Sequence, residues 1–356
     1  MRRWPAFAGI LAMACSAQTS SQIPAVPAAP VGVRPTAPAA SSPNAQPTAP
    51  TRSALACRVP VMSAVRSGDP PGGWITLPGG TFQSDRTSNI DRTLSSEGIS
   101  YDRAFNRWIP ADWNHISPDG RRYVVLRELN GFNIVEVANG ATRGVSVPPA
   151  HGQWIVIDYT TSGIYLTLMA ALDYADPGLW VMNPDSGQVR KLDATQSWSH
   201  VDSRAAWGVA QGDGTLLLRR LDLETGTLTT QLAVSHHRTP QAGDRSLELI
   251  ALDADGRPLV LERDWEHLYP WHMATLEAPS TLREITLPNE WSAGWPMFDN
   301  GDPYQLGRQL RGLLLSRGIW IVGRNSFPGL ALLGPEGAIT QWSQGPEIFA
   351  IAGGCY

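Results

Sequence analysis

The stretch Trp154-Ile-Val-Ile157-Asp158 decides the fold, because its pattern returns along the chain. Each copy has a large apolar residue, two variable residues, a second apolar residue, and then usually Asp or Ser. The other copies begin at Trp113, Trp198, Leu249, Trp295 and, in degenerate form, Ile348. Successive copies start 41 to 53 residues apart. A period of this size indicates a repeated supersecondary unit rather than one irregular domain.

The residues after each copy predict short antiparallel strands joined by tight turns. The first copy is followed by the turn Ser117-Pro-Asp-Gly120, and the second by the turn Pro184-Asp-Ser-Gly187. Asp-Gly and Ser-Gly pairs between short runs of β-branched and aromatic residues are hairpin signals. The class is therefore all-β. Since a four-stranded propeller blade takes about 40–50 residues, we predict a β-propeller with six blades of four antiparallel strands, or alternatively seven.

The last copy is too close to the end of the sequence to supply a whole blade. Only five residues follow Ile351. The missing strands are available near the start of the repeat region, at 59–62, 74–77 and 81–82. We therefore expect the last blade to be closed by strands from both ends of the domain 57–356.

The repeats also resemble a known group of proteins. The stretch Ile116-Ser-Pro-Asp-Gly-Arg-Arg-Tyr-Val-Val125 is similar to the hairpin repeats of TolB-like and WD40-like bacterial propellers. The preceding stretch, Ser100 to Pro110, resembles uncharacterised lipoproteins of that type. The resemblance implies the propeller fold over 57–356 and carries over no partner-binding residue.

The first residues predict export. Arg2 and Arg3 precede a short apolar run that is far below the roughly 20 residues needed to span a bilayer. The run ends at Leu11-Ala-Met-Ala-Cys15, which resembles the lipobox of bacterial lipoproteins, although the family prefers leucine where Ala12 stands. Residues 1–14 are thus interpreted as a signal peptide and Cys15 as the lipidated N-terminus. An ordinary secretory signal is the alternative.

Residues 15–56 are rich in Ala, Pro and Ser and predict a disordered tether, because they offer almost nothing to bury. If Cys15 carries lipid, two cysteines of the three remain. Disulfides persist in the oxidising compartment that export would reach. We expect a bond between Cys57 and Cys355, which would tie together the two ends of the propeller domain.

Composition limits the partners. The net charge is −4, and there is no clustered basic surface of the kind that nucleic acid needs. We expect a monomer on the extracytoplasmic side, held at the membrane only by its lipid. The expected partner is a cell-envelope protein, peptide or glycan.

Two histidines occupy equivalent positions in the repeats and are candidates to line the channel. These are His115 and His200, which could face a shared metal or could be structural. Two imidazoles with no third ligand make a weak metal site, so no metal or cofactor is expected. Acids follow several copies, at Asp158, Asp202, Asp253 and Asp299, and could form a carboxylate ring or begin the turns after the inner strands.

One loop has an unusual composition and is a candidate binding rim. Its aromatic and titratable residues are Trp265, Glu266, His267, Tyr269, Trp271 and His272. Rigid rings could contact a sugar or peptide, although the same rings could pack between blades.

The sequence has no motif that assigns catalysis. The G-x-S-x-G nucleophile turn, the H-E-x-x-H zinc helix, the P-loop and the dinucleotide fingerprint are all missing from it. We therefore expect a binding or scaffold module rather than an enzyme. The alternative is an extracytoplasmic hydrolase or lyase with its site in the central funnel, and no catalytic residue is assigned.

Overall fold

The structure is a computed structural model, and it describes part of the chain. The described residues are 56–63, 70–90, 98–127, 131–148, 152–169, 177–235, 245–253, 255–264, 272–285, 311–315, 318–323, 329–333, 339–344 and 348–356. The predicted signal peptide, the predicted lipid site Cys15 and the predicted tether lie outside them.

The described residues form strands and two short 3₁₀ turns. The first eight strands are β1 (Cys57–Ser63), β2 (Gly72–Leu77), β3 (Thr81–Ser84), β4 (Ser100–Asp102), β5 (Arg107–Ile109), β6 (Arg122–Leu126), β7 (Gly131–Glu136) and β8 (Thr142–Ser146). The next eight are β9 (Gln153–Thr160), β10 (Gly163–Met169), β11 (Leu179–Met182), β12 (Val189–Asp193), β13 (His200–Val201), β14 (Ala205–Gly212), β15 (Thr215–Asp222) and β16 (Leu228–Ser235). The last nine are β17 (Arg245–Leu252), β18 (Pro258–Asp264), β19 (His272–Ala278), β20 (Thr281–Ile285), β21 (Arg311–Leu315), β22 (Gly318–Gly323), β23 (Gly329–Leu333), β24 (Ile339–Gln344) and β25 (Ile348–Ile351). The 3₁₀ turns are Arg86–Ser88 and Trp113–His115.

The strands pair into separate antiparallel sheets. Five sheets have four strands, in the orders β25-β1-β2-β3, β12-β11-β10-β9, β13-β14-β15-β16, β17-β18-β19-β20 and β21-β22-β23-β24. One sheet has the three strands β6-β7-β8, and β4 and β5 form a separate hairpin. The chain is thus an all-β propeller, as the repeats predicted.

The predicted blade count is wrong. Five four-stranded blades are present among the described residues, not six or seven. At the first copy of the repeat, Trp113–His115 forms a 3₁₀ turn instead of an inner strand, and Ile116 makes only an isolated bridge to Tyr123. The chain turns again directly afterwards, where Gly120 N donates to the carbonyl oxygen of Ser117. Too little extended chain remains between the two turns for a fourth strand, so the sheet β6-β7-β8 stays three-stranded.

The prediction of closure by both chain ends is confirmed. Strand β25 pairs with β1, and Val61 lies opposite Ile351. The three N-terminal segments expected from the sequence are β1, β2 and β3. Cys57 and Cys355 form the expected disulfide across this junction, with their Cα atoms 5.6 Å apart and 298 positions apart in the sequence.

We call the junction of β1 with β25 the seam. An aromatic cluster packs beside it. Trp74 of β2 makes edge-to-face contacts with Tyr101, Trp108 and Tyr356, at ring distances of 4.5, 6.1 and 5.9 Å. Asp85 Oδ2 accepts hydrogen bonds from the indole nitrogens of Trp74 and Trp108, at 2.9 and 3.0 Å. One carboxylate thereby satisfies two indole donors in a largely apolar cluster.

The core lies between neighbouring sheets, because each sheet turns apolar side chains to both faces. Phe132 and Ile134 of β7 pack with Trp154 of β9 and Leu166 of β10. A second interface joins Trp198, which is 2% exposed, to Tyr165 of the preceding sheet. The large apolar residue that opens the second and third repeats is therefore a core residue between blades.

Candidate functional site

A cavity of about 1370 Å³ lies where the first strands of the sheets converge. Its wall includes Ile155–Tyr159 of β9, Ser199–Arg204 around β13, Leu249–Leu252 of β17 with the following Asp253, and Ile351 of β25. These strands stand at one edge of their respective sheets. The cavity is therefore the central channel of the propeller, and the repeated motif forms its wall.

Among the described residues, seven aspartates and two arginines line the channel. The aspartates are Asp102, Asp112, Asp119, Asp158, Asp202, Asp253 and Asp255, and the arginines are Arg103 and Arg204. Some of this negative charge is compensated, because Arg257 pairs with Asp253 at 2.7 Å and with Asp255 at 2.9 Å.

The repeated acids serve the turns that follow the inner strands. Asp202 Oδ1 accepts hydrogen bonds from the backbone nitrogens of Arg204 and Ala205, at 2.6 and 2.7 Å. Asp253 Oδ1 accepts from the backbone nitrogen of Asp255 at 2.9 Å. Ser117 does the same with its hydroxyl, which accepts from Arg122 N at 2.9 Å. The turn interpretation therefore accounts for these positions. Asp299, the fourth of the repeated acids, lies outside the described residues.

Asp158 differs from the other repeated acids. Its Oδ1 accepts a hydrogen bond from the backbone nitrogen of Tyr159 at 2.9 Å. Burial disfavours the charged carboxylate more than this single bond favours it. The pKa of Asp158 is consequently raised to about 6.

Both candidate channel histidines line the cavity. His115 ends the 3₁₀ turn, and its backbone nitrogen donates to the carbonyl oxygen of Asp112 at 3.0 Å. His200 begins β13, where its Nε2 lies 3.1 Å from the Ile250 carbonyl oxygen and its Nδ1 lies 3.2 Å from Ser199 Oγ. Burial lowers the pKa of His200 to about 4, against the opposing effect of the Ile250 hydrogen bond. The imidazole of His200 is therefore neutral at neutral pH.

Two polar side chains each join the innermost segment of one sheet to the inner strand of another along the channel wall. Asn114 Nδ2 donates to the Ile157 carbonyl oxygen of β9 at 2.8 Å, and His200 bonds the Ile250 carbonyl of β17. An inner strand is a sheet edge, and its unpaired carbonyls need donors. Sequence reasoning missed Asn114, because its acceptor lies 43 residues away.

No group of three potential metal-binding side chains occurs in the described part of the chain. The described residues also contain no helix long and apolar enough to span a membrane.

The predicted binding rim is almost entirely outside the described residues. This applies to Trp265, Glu266, His267, Tyr269 and Trp271. His272 begins β19, opposite Glu262 of β18, and its side chain is outside the description. The rim therefore remains a prediction.

Comparison with known proteins shows a likeness in fold alone. No family model matches the chain, and no curated protein matches it significantly. Among solved structures, TolB from Acinetobacter baumannii is 14% identical with a TM-score of 0.43, over 82% of this chain and 65% of that one. A Lactobacillus plantarum protein is 12% identical with a TM-score of 0.44, over 83% and 98% of the two chains. An oligogalacturonate lyase in complex with manganese is 12% identical with a TM-score of 0.44, over 76% and 70%. This chain is thus similar to TolB and other propellers, and it spans about two thirds of the length of TolB.

Proposed function

We propose that this protein is a membrane-tethered extracytoplasmic binding module. Its central channel receives a segment of a cell-envelope protein, peptide or glycan. The observation that carries the proposal is the cavity of about 1370 Å³, whose wall mixes apolar side chains with polar groups. Ligand pockets commonly have this combination of a large concave volume and a few placed polar groups.

The Cys57–Cys355 disulfide supports the extracytoplasmic location, because disulfides persist in oxidising compartments. The tether and the lipid on Cys15 rest on the sequence of residues 1–56. Replacement of Cys15 by alanine tests the anchor directly. We expect the Cys15→Ala protein to move from the membrane fraction to the soluble extracytoplasmic fraction, and continued membrane retention would contradict the lipid anchor.

Site-specific photocrosslinking in intact cells tests the binding function. A benzophenone amino acid replaces Ser203, which is exposed and lines the channel. The matched control carries the same group at Thr230, which is exposed on β16 at the far edge of its sheet. We expect discrete adducts from position 203 and none from position 230. Identical adduct patterns from both positions, or no adducts from either, would refute binding in the channel.

The rim 265–272 is proposed as a second contact surface for the same ligand, supported by its three aromatic rings. Alanine at Trp265 and Trp271 together is expected to weaken the adducts formed from position 203. An unchanged adduct yield would remove the rim from the proposal.

A further inference from the structure

Ser199 and His200 form a hydrogen-bonded pair in the channel wall. Ser199 Oγ lies 3.2 Å from His200 Nδ1, and both residues line the cavity. Ser199 is exposed to the channel, so a bound molecule can reach its hydroxyl.

The Ile250 carbonyl fixes which nitrogen of the imidazole carries the proton. A carbonyl oxygen can only accept a hydrogen bond, so the Nε2 atom that faces it at 3.1 Å must be the donor. In the neutral ring, Nδ1 then presents a lone pair to Ser199 Oγ. The hydroxyl has a second acceptor, the carbonyl oxygen of Trp207, at the longer distance of 3.4 Å.

This arrangement has the three parts that activate a hydroxyl nucleophile. A nucleophile lies within hydrogen-bond reach of a base, and a third group orients the base. A structural role accounts for the Nε2 bond, which joins β13 to β17. That bond leaves the unprotonated Nδ1 facing the Ser199 hydroxyl on the channel surface.

We propose that Ser199 is a nucleophile activated by His200, and that it accepts acyl groups from carboxylic esters bound in the central channel. Ser199 Oγ attacks the ester carbonyl carbon while its proton passes to His200 Nδ1. The carbon–oxygen bond to the alcohol then breaks, and the alcohol leaves with the proton from His200. Water repeats the sequence on the acyl-serine, which releases the carboxylic acid and restores both side chains.

The orienting group explains why the substrate is an ester and not an amide. A backbone carbonyl is uncharged, so it stabilises the imidazolium of the transition state less than the aspartate of a full catalytic triad does. Such a pair suits a leaving group that departs easily. An ester alcohol departs more readily than an amine does from an amide.

The test uses the mature full-length protein, a fluorophosphonate probe and p-nitrophenyl acetate. We expect the probe to modify Ser199, located by peptide mass spectrometry, and the acetate ester to be cleaved. Ser199→Ala is expected to abolish both. Thr230→Ala is the matched control, because it removes an exposed hydroxyl at the far edge of a sheet, away from the channel, and is expected to change neither.

His200→Asn separates the base from the structural bond. An asparagine amide can donate to a strand carbonyl, as Asn114 does to Ile157, but cannot accept the hydroxyl proton as a base. We expect His200→Asn to lower the labelling rate at least tenfold while its thermal unfolding stays close to that of the wild type. If His200→Asn unfolds, His200→Gln and the Ser199→Ala result decide the question. No modification of the wild type, or modification that persists in Ser199→Ala, would overturn the proposal. Photocrosslinking adducts without labelling would overturn it and leave the binding function standing.

Discussion

Arg58 and Tyr356 are hydrogen-bonded to each other in both directions. Arg58 N donates to the Tyr356 carbonyl oxygen at 2.9 Å, and Tyr356 N donates to the Arg58 carbonyl oxygen at the same distance. The Tyr356 hydroxyl also donates to the Tyr101 carbonyl oxygen at 3.2 Å. The seam is therefore held by backbone hydrogen bonds and ring contacts in addition to the disulfide.

Removing the disulfide tests how much of the stability of the seam is covalent. The bond closes a loop of 298 positions, so the chain-entropy estimate for Cys57→Ala with Cys355→Ala is a loss of up to about 6 kcal/mol. Because the hydrogen bonds of β1 with β25 remain, we expect the variant to fold and to unfold at lower urea concentration. Reductant should likewise lower the urea concentration at which the wild type unfolds, and it should leave the midpoint of the double variant unchanged. Equal midpoints for the oxidised and reduced wild type would contradict this expectation.

Asp85 should be the most costly single carboxylate of the seam to remove. Asp85→Ala leaves two buried indole donors unpaired, so we expect a loss of about 2–4 kcal/mol in urea unfolding. Asp193 is the matched control, since it accepts one indole bond, from Trp198 at 3.0 Å. Its alanine variant is expected to lose about 1–2 kcal/mol. The reverse order would show that the two indole bonds are not what Asp85 contributes.

The Asp85 carboxylate also predicts how the stability of the fold depends on pH. Burial raises the pKa of Asp85, but hydrogen bonds from Trp108, Thr87 and Trp74 outweigh burial and lower it to about 2. The ionised form thus adds stability that is present above about pH 4 and is lost as the pH falls towards 2. We expect the stability difference between wild type and Asp85→Ala to shrink across that window. A difference independent of pH would disprove the charged role of Asp85.

Asp158 predicts the opposite dependence. Its folded-state pKa of about 6 lies above the ordinary value of 3.8, so the stability of the fold decreases as the pH rises from about 4 to about 6 and is constant above that window. Asp158→Asn is expected to be about 1–3 kcal/mol more stable than wild type at pH 8 and no more stable at pH 4. Asp119→Asn is the control of opposite sign. The Ser117 hydrogen bond holds the pKa of Asp119 below its usual value, so the ionised carboxylate stabilises the fold. We therefore expect Asp119→Asn to be less stable than the wild type at pH 8.

Alanine substitutions at two turn glycines distinguish the stability cost of backbone strain from the cost of steric overlap. Gly120 has φ +70° and Gly140 has φ +72°. An added Cβ at Gly140 meets nothing within 4 Å, but at Gly120 it would lie 2.9 Å from Asp102 Oδ1 and 2.9 Å from Ala104 Cβ. We expect Gly140→Ala to cost about 1 kcal/mol and Gly120→Ala to cost about 1–3 kcal/mol more in urea unfolding. Equal stability costs for the two variants would mean that the hairpin of β4 and β5 moves to make room for the methyl group at position 120.

The features that were predictable from the sequence are those that follow from the repeat period and from the positions of the two ends of the propeller domain. Cys57, Cys355 and the segments of β1 to β3 were predictable because a ring of repeats that begins and ends in mid-blade must draw on both ends. The 3₁₀ turn at Trp113–His115 was not predictable, because its apolar spacing equals that of the copies that form strands. Asn114 and Asp85 were missed for a common reason. Their partners are distant in sequence, and no local pattern marks a side chain that satisfies a neighbouring blade.

The order in which the closing sheet can form has a consequence for biosynthesis. Strand β1 is made first and β25 last, and nearly the whole chain separates them. While synthesis proceeds, β1 presents an unpaired edge that no other part of the nascent polypeptide is meant to cover. The closing sheet therefore cannot be completed until β25 has been synthesised, and until then the open edge of β1 is a site at which another chain could pair.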